Sequence, residues 1–107
     1  MRTHFMPLMT ATALMVGFYA TTAAAHADDI NGQRIYDSNC TGCHDGGRGP
    51  QRGSNGWKVR LKTGDQNLYN HAIEGIGSMP ARGGNEALSD EEVEAAVDYL
   101  VAPSKDK

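Results

Sequence analysis

Two cysteines separated by two residues, with a histidine directly after the second, constrain this chain more than any other feature in it. Cys40 and Cys43 are its only cysteines, in the run Cys40-Thr41-Gly42-Cys43-His44. A disulfide is the first chemistry to test for such a pair in an oxidising compartment. A thioredoxin-like dithiol needs a βαβ context, and no segment alternates apolar and polar residues as a strand does. A zinc site needs further ligands beyond these three side chains. The histidine favours a fourth chemistry. In the C-x-x-C-H pattern two thiols add to the vinyl groups of a haem while the following imidazole coordinates its iron. On one turn of chain the sulfurs reach vinyl groups on adjacent pyrroles, and the imidazole points at the metal between them. The expectation is one covalently attached haem c, held by Cys40 and Cys43, with His44 on the iron.

Composition makes such a group necessary as well as available. Arg2, the mostly apolar stretch 8–20 and the small residues of Ala25-His26-Ala27 read as a secretory signal over residues 1–27, cleaved after Ala27. Thr10 and Thr12 interrupt the apolar run, which falls short of the ~20 residues a membrane span needs. The mature chain, residues 28–107, is then a single exported domain with no membrane span, expected in the periplasm. It keeps 25 apolar residues in 80 and 12 glycines, and both phenylalanines, Phe5 and Phe18, leave with the signal. A domain this small with so thin a core needs a staple.

Methionine usage adds a second ligand. Met1, Met6, Met9 and Met15 lie in the signal, so Met79 is the one thioether of the mature chain. A lone Met is often core filler. Met79, however, sits in Gly77-Ser78-Met79-Pro80, a turn-forming stretch, and loops carry ligands more often than cores do. His/Met ligation is a recognised haem environment. The rival is His71, the only other mature histidine, placed here on the polar face of a short helix.

Periodicity predicts an all-α chain. A helix over 31–39 carries Gly32, Ile35 and Tyr36 on one face and delivers Cys40 at its end. A Gly-rich loop follows His44 and lacks the Gly-Lys-Ser/Thr ending of a phosphate loop. Short helices are expected over 57–62, with Trp57 and Leu61 on one face, and over 67–75, with Leu68, Ala72 and Gly75. The last helix opens on a Ser89/Glu92 capping box, carries the stripe Val93, Ala96, Val97, Leu100 and Val101, and is expected to end before Pro103.

From residue 28 to 102 the chain resembles the class I c-type cytochromes, most closely the cytochrome c5 group. The residues that carry the resemblance are the Cys40–His44 run, Gly49-Pro50, Trp57 with Arg60-Leu61, Leu68, Ala72, Gly75, Gly77, Met79-Pro80, Gly83-Gly84, and Leu88-Ser89-Asp90-Glu91-Glu92 leading to Tyr99-Leu100. The resemblance implies a small cytochrome c fold, about four helices around one haem, with His44 and Met79 axial. It also implies a crossing of the first and last helices at Gly32, Tyr36 and Tyr99, and a Pro50 carbonyl bonded to the second ring nitrogen of His44. In c5-like proteins the residues matching Trp57 and Arg60 lie near the haem propionates, and an indole N–H and a guanidinium both donate to carboxylates. The chain departs from the c5 pattern in two places. No cysteine pair occurs in Gly84-Asn85-Glu86-Ala87, and Ala81 stands where a second proline is common.

With both axial positions filled by protein, the iron has no open site for substrate. The expected function is single-electron transfer between redox partner proteins, not enzyme catalysis. A peroxidase-like haem would need a displaceable ligand and a distal acid or base, for which only His71 is available. A haem subunit of a larger oxidoreductase is the other alternative. Residues 28–85 carry net +1 and residues 86–107 net −5. The mature total of −4 argues against nucleic acid as a partner. It also suggests an electron-exit edge bordered by Arg48, Arg52 and Arg82, opposite an acidic last helix.

Overall fold

The computed structural model describes residues 29–106, together with Met15 and Gly17. The signal and its cleavage site, residues 1–27, otherwise lie outside the described residues. Helix α1 spans Gly32–Asn39; Asn31 caps it by accepting the Arg34 N–H at 3.0 Å, and it buries Ile35 and Tyr36. Its last turn runs into α2, Thr41–His44, a single turn that holds most of the two-cysteine motif. Helices α3, Gly56–Leu61, and α4, Asp65–Glu74, follow, then a 3₁₀ turn over Ala81–Gly84 and the long α5, Asp90–Lys105. The described residues form no strand, only one isolated bridge between Ile76 and Met79.

The frame is the crossing of α1 and α5, the most extensive helix pairing in the molecule. Gly32 makes it possible. A Cβ at this position would lie 2.2 Å from the Ala95 carbonyl oxygen, so any side chain would push the helices apart. Beside it the Tyr36 and Tyr99 rings meet at 5.2 Å between centroids. All five apolar residues expected along α5 are buried, as are Trp57, Leu68 and Ala72 from α3 and α4. The capping box of α5 is present in both halves: Ser89 Oγ accepts the Glu92 N–H and Glu92 Oε1 accepts the Ser89 N–H, each at 3.1 Å.

Two helices differ from expectation by more than one residue. Helix α4 begins at Asp65, before the apolar periodicity starts, because an acidic residue in the first turn suits the helix dipole; it ends at Glu74, with Gly75 as its left-handed cap. Pro103 does not follow α5 but lies inside it. Proline has no N–H to give the carbonyl four residues back. That carbonyl, on Tyr99, accepts Arg52 Nε at 3.1 Å instead, and the Arg52 guanidinium lies 4.0 Å over the Tyr99 ring. Ser104 extends the buried stripe and donates its hydroxyl to the Ser54 carbonyl at 3.1 Å.

Candidate haem-binding site

Cys40, His44 and Met79 line one apolar cavity, walled by Ile35 of α1, Ala72 of α4 and Val93, Ala96, Val97 and Leu100 of α5. Cys40 and Cys43 form no disulfide; Cys40 is half-buried and Cys43 exposed. Burial, and after it the neighbouring Cys43, pushes the Cys40 thiol above its usual range. Among the described residues no three His, Cys, Asp or Glu side chains form a cluster able to hold a metal ion by themselves. An apolar slot with a thiol, an imidazole and a thioether on its walls, and the second thiol exposed three residues after the first, has the donor set that suits a haem, whose iron brings four nitrogens of its own.

His44 is buried, and its orientation is fixed by the loop that follows it. Nδ1 lies 2.8 Å from the Pro50 carbonyl oxygen. A carbonyl can only accept, so Nδ1 carries the hydrogen and Nε2 keeps its lone pair for a metal. Gly49 lets the ring sit against backbone: a Cβ there would be 2.8 Å from His44 Cε1. The His44 carbonyl accepts the Tyr36 hydroxyl at 3.2 Å, and burial followed by the Asp45 charge raises the Tyr36 phenol above its ordinary range.

Gln51 holds this loop closed, a role that periodicity and motif reading miss. Its Nε2 contacts the carbonyls of Gly49 at 2.7 Å, Gly47 at 3.0 Å and Cys43 at 3.2 Å, its Oε1 accepts the Gly46 N–H, and its own carbonyl accepts Trp57 Nε1 at 3.0 Å. The available signal was weak: an amide directly after Gly-Pro in a loop rich in unpaired backbone groups.

Met79 is presented by a tight turn. Ile76 N–H donates to the Met79 carbonyl at 3.1 Å and Met79 N–H to the Ile76 carbonyl at 2.9 Å, leaving Gly77 and Ser78 at the tip. His71 lies in α4, does not line the cavity, and is half-exposed.

The remaining candidates are placed differently from expectation. Trp57 is buried with its ring 5.8 Å from that of His44, and its one N–H is given to Gln51, so it is not free for a propionate. Arg60 is exposed and donates to the Gly56 carbonyl at 2.5 Å, which leaves most of its five donors unspent. Of the three arginines expected to border the exit edge, Arg52 is committed to Tyr99 and Arg82 to Asp90 at 2.5 Å; Arg48 remains exposed.

Comparison with known proteins converges on one group. A family model described as cytochrome C oxidase, cbb3-type, subunit III matches residues 27–100. Cytochrome c-555 of Chlorobaculum tepidum is 38% identical over 85 residues, covering 73% of this chain and 79% of the relative. Cytochrome c6 of Microcystis aeruginosa is 31% identical over 80 residues, covering 70% and 96%. Among solved structures, one described as the crystal structure of an electron transfer complex of nitrite reductase with cytochrome c aligns with a TM-score of 0.64 at 33% identity, over 68% of this chain and 93% of that one. The names are those of the c-555 and c6 groups and not of the c5 group.

Proposed function

This chain belongs to the class I c-type cytochromes, monohaem electron carriers with one covalently attached haem c, and from that premise we propose that Cys40 and Cys43 form the two thioether links and that His44 and Met79 are the axial ligands. The observation that carries the reading is the convergence of Cys40, His44 and Met79 on one apolar cavity with the His44 tautomer set by Pro50. The haem supplies the one-electron couple. The chain does the rest: His44 and Met79 would hold the iron, the apolar walls would exclude water, and the Pro50 carbonyl would raise the basicity of the imidazole. With no coordination position left for a substrate, the protein acts as a carrier and not as an enzyme. Arg60 is the better placed of the two propionate candidates, and Trp57 contributes by packing on His44.

We read residues 1–27 as a signal that delivers residues 28–107 to the periplasm. The partners are redox proteins. A haem subunit of a larger oxidoreductase is the second reading, favoured by the description of the matching family model. Among residues 29–106 the exposed large apolar side chains are Val59 and Ile76, two single residues rather than a contiguous patch, which favours the diffusing carrier.

Mass spectrometry of the exported protein tests the attachment: a mass of polypeptide from residue 28 plus one haem, unchanged by denaturation, is expected, and a haem-free mass removes the reading. Met79→Ala should keep the haem, lower the reduction potential and admit carbon monoxide, whereas His71→Ala should do none of these. The reverse pattern would make His71 the ligand.

A further inference from the structure

Arg82 is the one non-glycine among the described residues with a left-handed backbone, at φ 56° and ψ 29°. Glycines follow it at 83 and 84, both also at positive φ, so the turn is one that glycine serves and an arginine enters under strain. Strain of this kind persists where the surroundings over-determine it. Here the side chain does so. One terminal nitrogen, Nη1, donates to the Leu88 carbonyl at 2.8 Å and the other, Nη2, to Asp90 Oδ1 at 2.5 Å, and the side chain is only 24% exposed. Both acceptors belong to the entrance of α5, while Arg82 itself lines the same cavity as Met79, three residues before it.

The tie matters because the backbone hydrogen bonds of the turn do not leave it. The backbone bonds of Met79 go only to Ile76, which is itself 50% exposed, so the turn is held to the rest of the protein by side-chain packing and side-chain bonds. One further side-chain bond reaches across, from Asn85 Nδ2 to Asn39 Oδ1 at 3.0 Å.

We propose that Arg82 is a positioning residue: its fork bonds to Leu88 and Asp90 hold the Met79 turn against α5 and keep the thioether in the cavity. This rests on the reading of Met79 as an axial ligand. It also removes Arg82 from the charges that steer partners, since Asp90 neutralises it. A lysine could reach one acceptor but not both, because it lacks the planar fork.

The test uses the holoprotein and three variants, read by the methionine-to-iron charge-transfer band of the ferric form and by the rate of carbon monoxide binding to the ferrous form, with thermal unfolding as a control. Arg82→Gly relieves the backbone and removes both bonds; it should weaken the band and speed carbon monoxide binding by about tenfold or more, beyond any change in melting temperature. Arg82→Lys should recover part of both signals. Asp90→Asn, which leaves the turn's backbone untouched, should give a rise of about twofold to fivefold and keeps the question answerable if Arg82→Gly folds poorly. A wild-type protein that displays the band beside variants with unchanged band and unchanged rate overturns the role of Arg82 alone. A wild type without the band overturns the Met79 reading, and this proposal with it.

Discussion

His44 and Met79 look into one cavity from opposite supports. Around His44 the chain from Cys40 to Trp57 is a closed mesh: Gln51 bonds four backbone groups, Gly49 N–H donates to the Cys43 carbonyl at 2.9 Å, and Pro50 and Tyr36 hold the histidine itself. Around Met79 the backbone bonds are confined to a four-residue turn, and two side chains, Arg82 and Asn85, tie it to the helices. The difference teaches which of the two proposed ligands is held more firmly. One side has redundant hydrogen bonds, so losing a single one should leave the imidazole in place; the other has fewer and is expected to open more readily.

The largest effect should come from removing the covalent tether of the redundant side. Cys40→Ala with Cys43→Ala should export a mostly unfolded chain, because 25 apolar side chains in the 80 residues after the signal cannot offset a backbone ordering term of roughly 1–2 kcal/mol per residue. Circular dichroism and thermal melts of the haem-free protein check this; a cooperative helical transition would contradict it. Gly49→Ala sharpens the comparison by forcing a methyl group to within 2.9 Å of His44 Nδ1. It should destabilise by about 1–3 kcal/mol and shift the reduction potential, since the Pro50 bond must lengthen. Gln51→Ala should lower stability by about 1–2 kcal/mol in denaturant titrations and leave the potential nearly unchanged, because the mesh has other strands. A large potential shift would mean that Gln51 alone positions Pro50.

The smallest effect serves as a control remote from both ligands. The Tyr69 hydroxyl donates to Asp98, and that bond, with burial behind it, holds the phenol protonated well above its ordinary value of 10.0. The folded form keeps this proton where the unfolded chain gives it up. The contribution is therefore complete below about pH 10 and fades as the pH rises beyond it. Tyr69→Phe should cost about 0.5–1 kcal/mol at neutral pH and flatten the alkaline loss of stability, with no change in spectrum or potential. A change in spectrum would show that the Tyr69–Asp98 bond also sets the shape of the cavity.

The sequence carried the helices and the chemistry unevenly. The stripe from Val93 to Val101 and the Ser89/Glu92 box were legible because periodicity and capping are local rules, and Cys40-Thr41-Gly42-Cys43-His44 because its spacing is its chemistry. The helix crossing at Gly32, Tyr36 and Tyr99 and the bond of Pro50 to His44 came into view only through the family resemblance, and Ala95 as the residue facing Gly32 only in the structure. What stayed hidden was decided by acceptors distant in sequence. Nothing near Trp57 announces that its N–H goes to Gln51, and nothing near Arg52 or Arg82 announces a carbonyl or carboxylate waiting for each, so charge counting left them on the exit edge. Pro103 misled for the same reason: a proline stops a helix unless something else satisfies the orphaned carbonyl.

That substitution of partners ties two remote parts of the chain into one opening event. Arg52 stands 47 residues before Tyr99 and Ser54 stands 50 before Ser104, so the final turns of α5 are complete only when the segment behind the two-cysteine motif has settled onto them. The last turns of α5 are therefore expected to open together with that segment. Their amide hydrogens and those of the loop after His44 are expected to exchange as one unit, so that slow exchange at Val101, Ser104 and Lys105 becomes a remote record of whether that loop is assembled.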